Sequence, residues 1–197
     1  AMLREGASGL SSAYIAEKLD YYGATLQTLA TQRNTYITLY SANRYFFDIL
    51  PLLCKLVVSP DFPEEEFRTL KERNRQALSV DLMKVNVLAS RIFSEQLFGA
   101  ENPYGKSEQL ADYDTLTTAY LREFHSRYYT AEQCRIVLSG RITPEMKAAV
   151  KETFAAVPSR SESERFLFPA IHSSNEPYRC FEKAGALQAG IRVGRLV

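Results

Sequence analysis

From Glu64 to Phe98 the chain reads as helix almost without interruption, and this stretch limits the fold more than any other. It opens on a hard boundary, "SPDFPEEEF". Pro60 and Pro63 stop one helix and start the next, and Glu64, Glu65 and Glu66 suit the electropositive start of a helix. Downstream, Phe67, Leu70, Leu78, Leu82, Val85, Ala89, Ile92 and Phe93 fall near one face. Run straight, such an element would be ~50 Å long, so a bend or break is predicted within it.

The flanking elements alternate helix with hairpin or single strand. Ser11 and Ser12 can cap a helix to about Tyr22, with Ile15, Leu19 and Tyr22 on one stripe and Gly23 at its end. "ATLQTLAT" and "NTYITLYS" then read as an antiparallel hairpin turning at "TQRN". A helix is predicted over Asn43 to Val58, a polar loop over "FGAENPYGKSEQLADYD", and another helix over Leu116 to Tyr129. "CRIVLSG" reads as a short strand, and Thr143 with Pro144 as the start of a helix reaching about Ala156. Residues 157–176 have linker composition, and Leu187 to Leu196 turns strand-like again, a pattern expected to continue past residue 197. Helices alternating with hairpins rather than with regular parallel strands favour an α+β fold, an antiparallel or mixed sheet layered with helices.

Chemistry is harder to find. The net charge is +1, so bulk electrostatics does not point to nucleic acid. No apolar run is long enough to span a membrane, and "AMLREGASGL" lacks the apolar core of a signal peptide. Cys54, Cys134 and Cys180 form no C-x-x-C pair, and the first two lie in apolar runs as small hydrophobes. His125 and His172 are too far apart for two histidines on one helical turn. His125, among Leu121, Phe124, Tyr128 and Tyr129, reads as a packing residue that satisfies one hydrogen bond. "NPYGKS" lacks the repeated glycines of a phosphate loop and reads as a tight polar turn. Glu64 to Glu66 is explained by a solvated helix start without a metal, and Lys71, Arg73 and Arg75 interleave with Glu72 on an exposed face.

Several segments in order resemble the insulinase-type zinc peptidases of family M16, which include the mitochondrial processing peptidases. They are "MLREGAS", "IAEKLDYYGATLQTLATQRNTYI", "VVSPDFPEEEFRTLKER", "NPYG", "LREFHSRYYTAEQCRIVLSGRI" and "GALQAGIRVGR". The resemblance implies an M16-like α/β half over 1–157, a linker over 158–181, and over 182–197 the first strand of a following half. It also implies zinc-dependent peptide hydrolysis, in which a helix supplies H-x-x-E-H and a later helix a further glutamate.

Carried over residue by residue, the resemblance places Ala1 at the second histidine of that motif and Ser79 at the distal glutamate. Asp81 lies two residues on, ~200° around the helix. In the first hairpin, Gln27-Thr28 stand where catalytic members carry Asn-Ala. No residue of this chain is therefore assigned a catalytic or metal-ligating role, no cofactor is expected in the chain itself, and zinc belongs to catalytic relatives. The expectation is a non-catalytic M16-like domain, inactive on its own. It would pair with a homologous subunit or half bearing the zinc site, to enclose a peptide substrate in a chamber. The arginine and tyrosine that assist from the non-zinc side would lie beyond "QAGIRVGR". Two alternatives stand beside this one: part of an active zinc endopeptidase whose H-x-x-E-H precedes residue 1, or a structural protein like the peptidase-like core subunits of respiratory complexes.

Overall fold

The computed structural model describes residues 1–160 and 167–196. In chain order the elements are β1 (Gly6–Ala7), β2 (Leu10–Ser11), α1 (Ser12–Tyr21), β3 (Thr25–Ala30), β4 (Thr35–Tyr40), α2 (Phe46–Val58), α3 (Glu64–Asp81), α4 (Val85–Phe98), α5 (Asp112–Thr115), α6 (Thr118–Tyr128) and α7 (Pro144–Phe154). Short 3-10 turns lie at Met2–Arg4, Asn43–Tyr45 and Ala131–Gln133. The fold is α+β: helices with two small antiparallel sheets, β1–β2 and β3–β4. The chain divides into two compact units, Ala1–Thr69 with Thr117–Glu164 and Leu70–Leu116 with Arg165–Val197, the first boundary falling inside α3.

The first unit follows its sequence closely. The Ser11 hydroxyl accepts from the Tyr14 N–H at 3.2 Å and starts α1, whose buried residue is Ile15. In the β3–β4 register, Leu26 faces Leu39 and Thr28 faces Ile37. This inward set meets Ile15, Ile49, Leu52 and Leu56 in one core, with Leu19 and Tyr22 packed against it. Each large aliphatic side chain buried there contributes about 1.5–3 kcal/mol. The alternate register positions, Leu29 opposite Tyr36 and Thr25 opposite Tyr40, face outward. Helix α7 starts on a Thr143 hydroxyl accepting from Met146 N–H and packs on α2 with Met146 and Val150 buried.

In the second unit the predicted break in the long helix is present. After Asp81 the N–H groups of Met83 and Lys84 turn back to Val80 and Asp81, and Lys84 leaves helical geometry with ψ 125°. Helix α4 then runs to Gly99, whose φ is 83°. A Cβ at Gly99 would also lie 2.9 Å from the His172 carbonyl oxygen, so both backbone conformation and space require glycine. The last carbonyls of α4 find partners in the returning chain: Gln96 accepts from the Ser174 N–H at 2.8 Å, and Leu97 from the Ser173 hydroxyl at 2.7 Å.

Two strand expectations are corrected. "CRIVLSG" and Leu187–Leu196 form no strand among the described residues. Both have β-rich composition, but a strand is defined by a ladder, and neither has a partner among the described residues. In the second segment Gly190 lies against Ala89 and Val85, Gly194 against the Phe93 ring, and Arg192 Nε donates to Ser90 Oγ at 3.0 Å. Ile191 and Val193 on the alternate positions are 78% and 91% exposed.

Candidate functional site

The junction between α2 and α3 in the first unit is closely bonded. Ala7 bridges Pro60, the Ser8 N–H donates to the Ser59 carbonyl, and the Asp61 N–H donates to Gly6. The Asp61 carboxylate in turn accepts from the Gly9 N–H at 2.8 Å. Phe62 is 5% exposed and takes φ 49°, a left-handed conformation that costs a non-glycine residue about 1–3 kcal/mol. Helix α6 holds that conformation in place: Arg122 donates to the Asp61 and Phe62 carbonyls at 3.1 and 3.2 Å.

His125, one turn further along α6, completes the junction. Its Nε2 bonds the Val57 carbonyl at 2.7 Å, and since a carbonyl only accepts, this nitrogen carries the proton. The ring stacks on Tyr129 at 4.6 Å and meets Phe62 edge-on at 5.8 Å. Burial pulls its pKa below the ordinary 6.5, against the opposing pull of the Val57 hydrogen bond. His125 thus packs and bonds as its sequence context suggests.

The acidic start of α3 is tied to its neighbours. Glu64 accepts from the Thr118 hydroxyl at 2.8 Å and Glu66 from the Ser12 hydroxyl at 2.9 Å, joining α3 to α6 and α1. These partners, like Arg122, lie 54 to 61 residues away in sequence and left no local signal.

The positions that the resemblance sets against zinc ligands are engaged locally. Ser79 is exposed, and its hydroxyl donates back to the Gln76 carbonyl at 2.8 Å. The Asp81 carboxylate faces Lys84 at 2.7 Å. Ala1 carries no coordinating side chain and precedes the 3-10 turn at Met2–Arg4. Among the described residues no group of three or more His, Cys, Asp or Glu is placed to hold a metal. A neutral hydroxyl and a carboxylate paired with an ammonium do not fit a zinc donor set.

Gln27 and Thr28 lie on β3, which pairs with β4 on one side; no other strand joins it among the described residues. Backbone groups on an open edge are the elements of β-addition. The "NPYG" turn is structural, as its single glycine before lysine suggested. Asn102 is 2% exposed, donates to the Pro169 carbonyl at 2.8 Å and accepts from the Tyr104 N–H at 3.0 Å. Tyr104 packs between Phe98 and Phe168. No helix among the described residues is long and apolar enough to cross a membrane.

Residues 115–189 match the sequence family described as Peptidase M16 inactive domain. No curated protein matches the chain significantly. Among solved structures, the peptidase M16 inactive domain from Pseudomonas fluorescens is 24% identical with a TM-score of 0.74, over 83% of this chain and 42% of that one. A protease from Helicobacter pylori is 14% identical with a TM-score of 0.70, over 87% and 41%. Pitrilysin is 18% identical with a TM-score of 0.65, over 87% and 19%. At these identities the structural likeness establishes the fold. The chain spans about two-fifths of the length of the first two structures and about one-fifth of pitrilysin.

Proposed function

From the match of residues 115–189 to the peptidase M16 inactive domain, we propose that the chain is a homologue of that domain and forms the non-catalytic side of a peptide-degrading chamber. Its partner is a homologous subunit or half that carries the zinc site. The observation that carries this reading is the match of residues 115–189 to the inactive domain, joined to Ser79 at the position of the distal glutamate. The open edge of β3 supports a peptide-facing role, since main-chain pairing to an extended peptide survives the change to Gln27-Thr28.

Two measurements test the reading. Elemental analysis of the purified chain is expected to find no stoichiometric zinc and peptide cleavage assays no turnover, while mixing with a homologue bearing H-x-x-E-H yields a complex that cleaves peptides. One tightly bound zinc per chain, at a site that includes Asp81 or His125, overturns it. A second reading draws on the fold shared with a protease from Helicobacter pylori over 87% of this chain. In that reading the chain is part of a polypeptide that carries its own H-x-x-E-H, and the full reading frame on both sides separates the two.

A further inference from the structure

The chain leaves α7 along a defined path. After Phe154 the Val157 N–H turns back to the Phe154 carbonyl, and Val157 is buried at 8% exposure. The next three residues lie exposed on the 3-10 turn at Ala131–Gln133. The Ala131 N–H donates to the Pro158 carbonyl at 2.9 Å. The Glu132 carboxylate accepts from the Ser159 hydroxyl at 2.5 Å and from the Arg160 N–H at 3.2 and 3.1 Å. One exposed side chain thus binds both a side chain and a backbone donor from 27 and 28 residues away.

We propose that Glu132 is a clasp that fixes where the chain departs from the first unit, holding residues 158–160 against the turn that follows α6. Without it, Ser159 and Arg160 would lose their hold on the turn, leaving Pro158 bonded to Ala131. With it, the following segment starts from an anchored point at Arg160. The Ser159 bond, with help from the Arg160 N–H, holds the Glu132 carboxyl down at about 2, so the clasp keeps its charge through the ordinary pH range. It is therefore released by competition for the carboxylate or by negative charge at Ser159, and acidification in the physiological range does not open it.

Trypsin cleavage after Arg160 and amide exchange at Arg160 read the clasp directly in the purified full chain. Glu132→Ala and Ser159→Asp are each expected to raise the cleavage rate roughly tenfold, since charge-assisted hydrogen bonds set the local opening. The Arg160 amide should lose protection while α2 and α7 keep theirs. Glu145→Gln, at another exposed glutamate, is expected to leave Arg160 unchanged. An unaltered rate in both Glu132→Ala and Ser159→Asp overturns the proposal, because Val157 burial and the Ala131–Pro158 bond would then suffice. Equal loss of protection across α2 and α7 overturns it too, since Glu132 would then support the whole unit.

Discussion

At His125 the imidazole lies between Phe62 and Tyr129 with Nε2 donating to Val57, and its pKa is lowered by burial. In the same junction Arg122 is bonded to the Asp61 and Phe62 carbonyls, and the Asp61 carboxylate is engaged with Gly9. A lowered folded-state pKa favours the neutral ring, so the unfolded chain binds more protons below 6.5. The resulting stabilisation is fully present above 6.5 and is lost as pH falls through the folded value. Urea unfolding between about pH 5 and about pH 7.5 is expected to show stability falling with acid in the native chain. His125→Gln, whose amide can still donate to Val57, should flatten that slope, and an equal slope in both proteins would refute the assignment. The packing role of His125 was legible from its aromatic neighbours on α6. Its acceptor Val57 was not, nor was the positive φ of Phe62, because both depend on where α2 ends relative to α6.

The helices were legible wherever a cap or a break had local chemistry. Ser11, Thr143 with Pro144, and the Pro60–Pro63 boundary each mark an end that the backbone adopts. Thr143→Ala should destabilise the first unit by about 1 kcal/mol, the usual cost of losing a side-chain cap. Thr143→Ser, which keeps the acceptor for the Met146 N–H, should cost little by comparison. Unfolding midpoints of the two variants check this; equal losses would mean that the threonine methyl, rather than the cap, matters. The break at Leu82–Lys84 was expected from length alone, and its position follows from Met83 and Lys84 turning back to Val80 and Asp81. Strands were read less well. The β3–β4 hairpin formed because its two runs are adjacent and their apolar faces meet α1 and α2. "CRIVLSG" and Leu187–Leu196 carry the same β-rich composition without a run to pair with among the described residues. Composition sets the preference of such a segment, and only a ladder makes it a strand.

At the scale of the whole molecule, association depends on surfaces that composition does not reveal, and two of them are exposed apolar segments. In the first unit Val137 is 87% exposed and Ile136 45%; in the second, Leu187 is fully exposed and Val193 is 91% exposed. Extended, β-rich, apolar backbone without a ladder partner is the kind of template that recruits another chain. The net charge of +1 offers almost no repulsion to resist it. The isolated chain is therefore expected to self-associate as concentration rises into the micromolar range, with growing hydrodynamic radius by light scattering. Val137→Lys together with Val193→Lys should hold it monomeric, and the paired serine substitutions separate apolar contact from added charge. If the serine pair restores a monomer as well as the lysine pair does, the apolar contact is responsible. If only lysine does, general charge repulsion is. A native chain that stays monodisperse would show that neither segment is adhesive. Where self-association does occur, adding the zinc-bearing homologue distinguishes its meaning. A partner that pairs through these segments suppresses the growth in radius at equimolar amounts, whereas a partner that binds elsewhere leaves it unchanged.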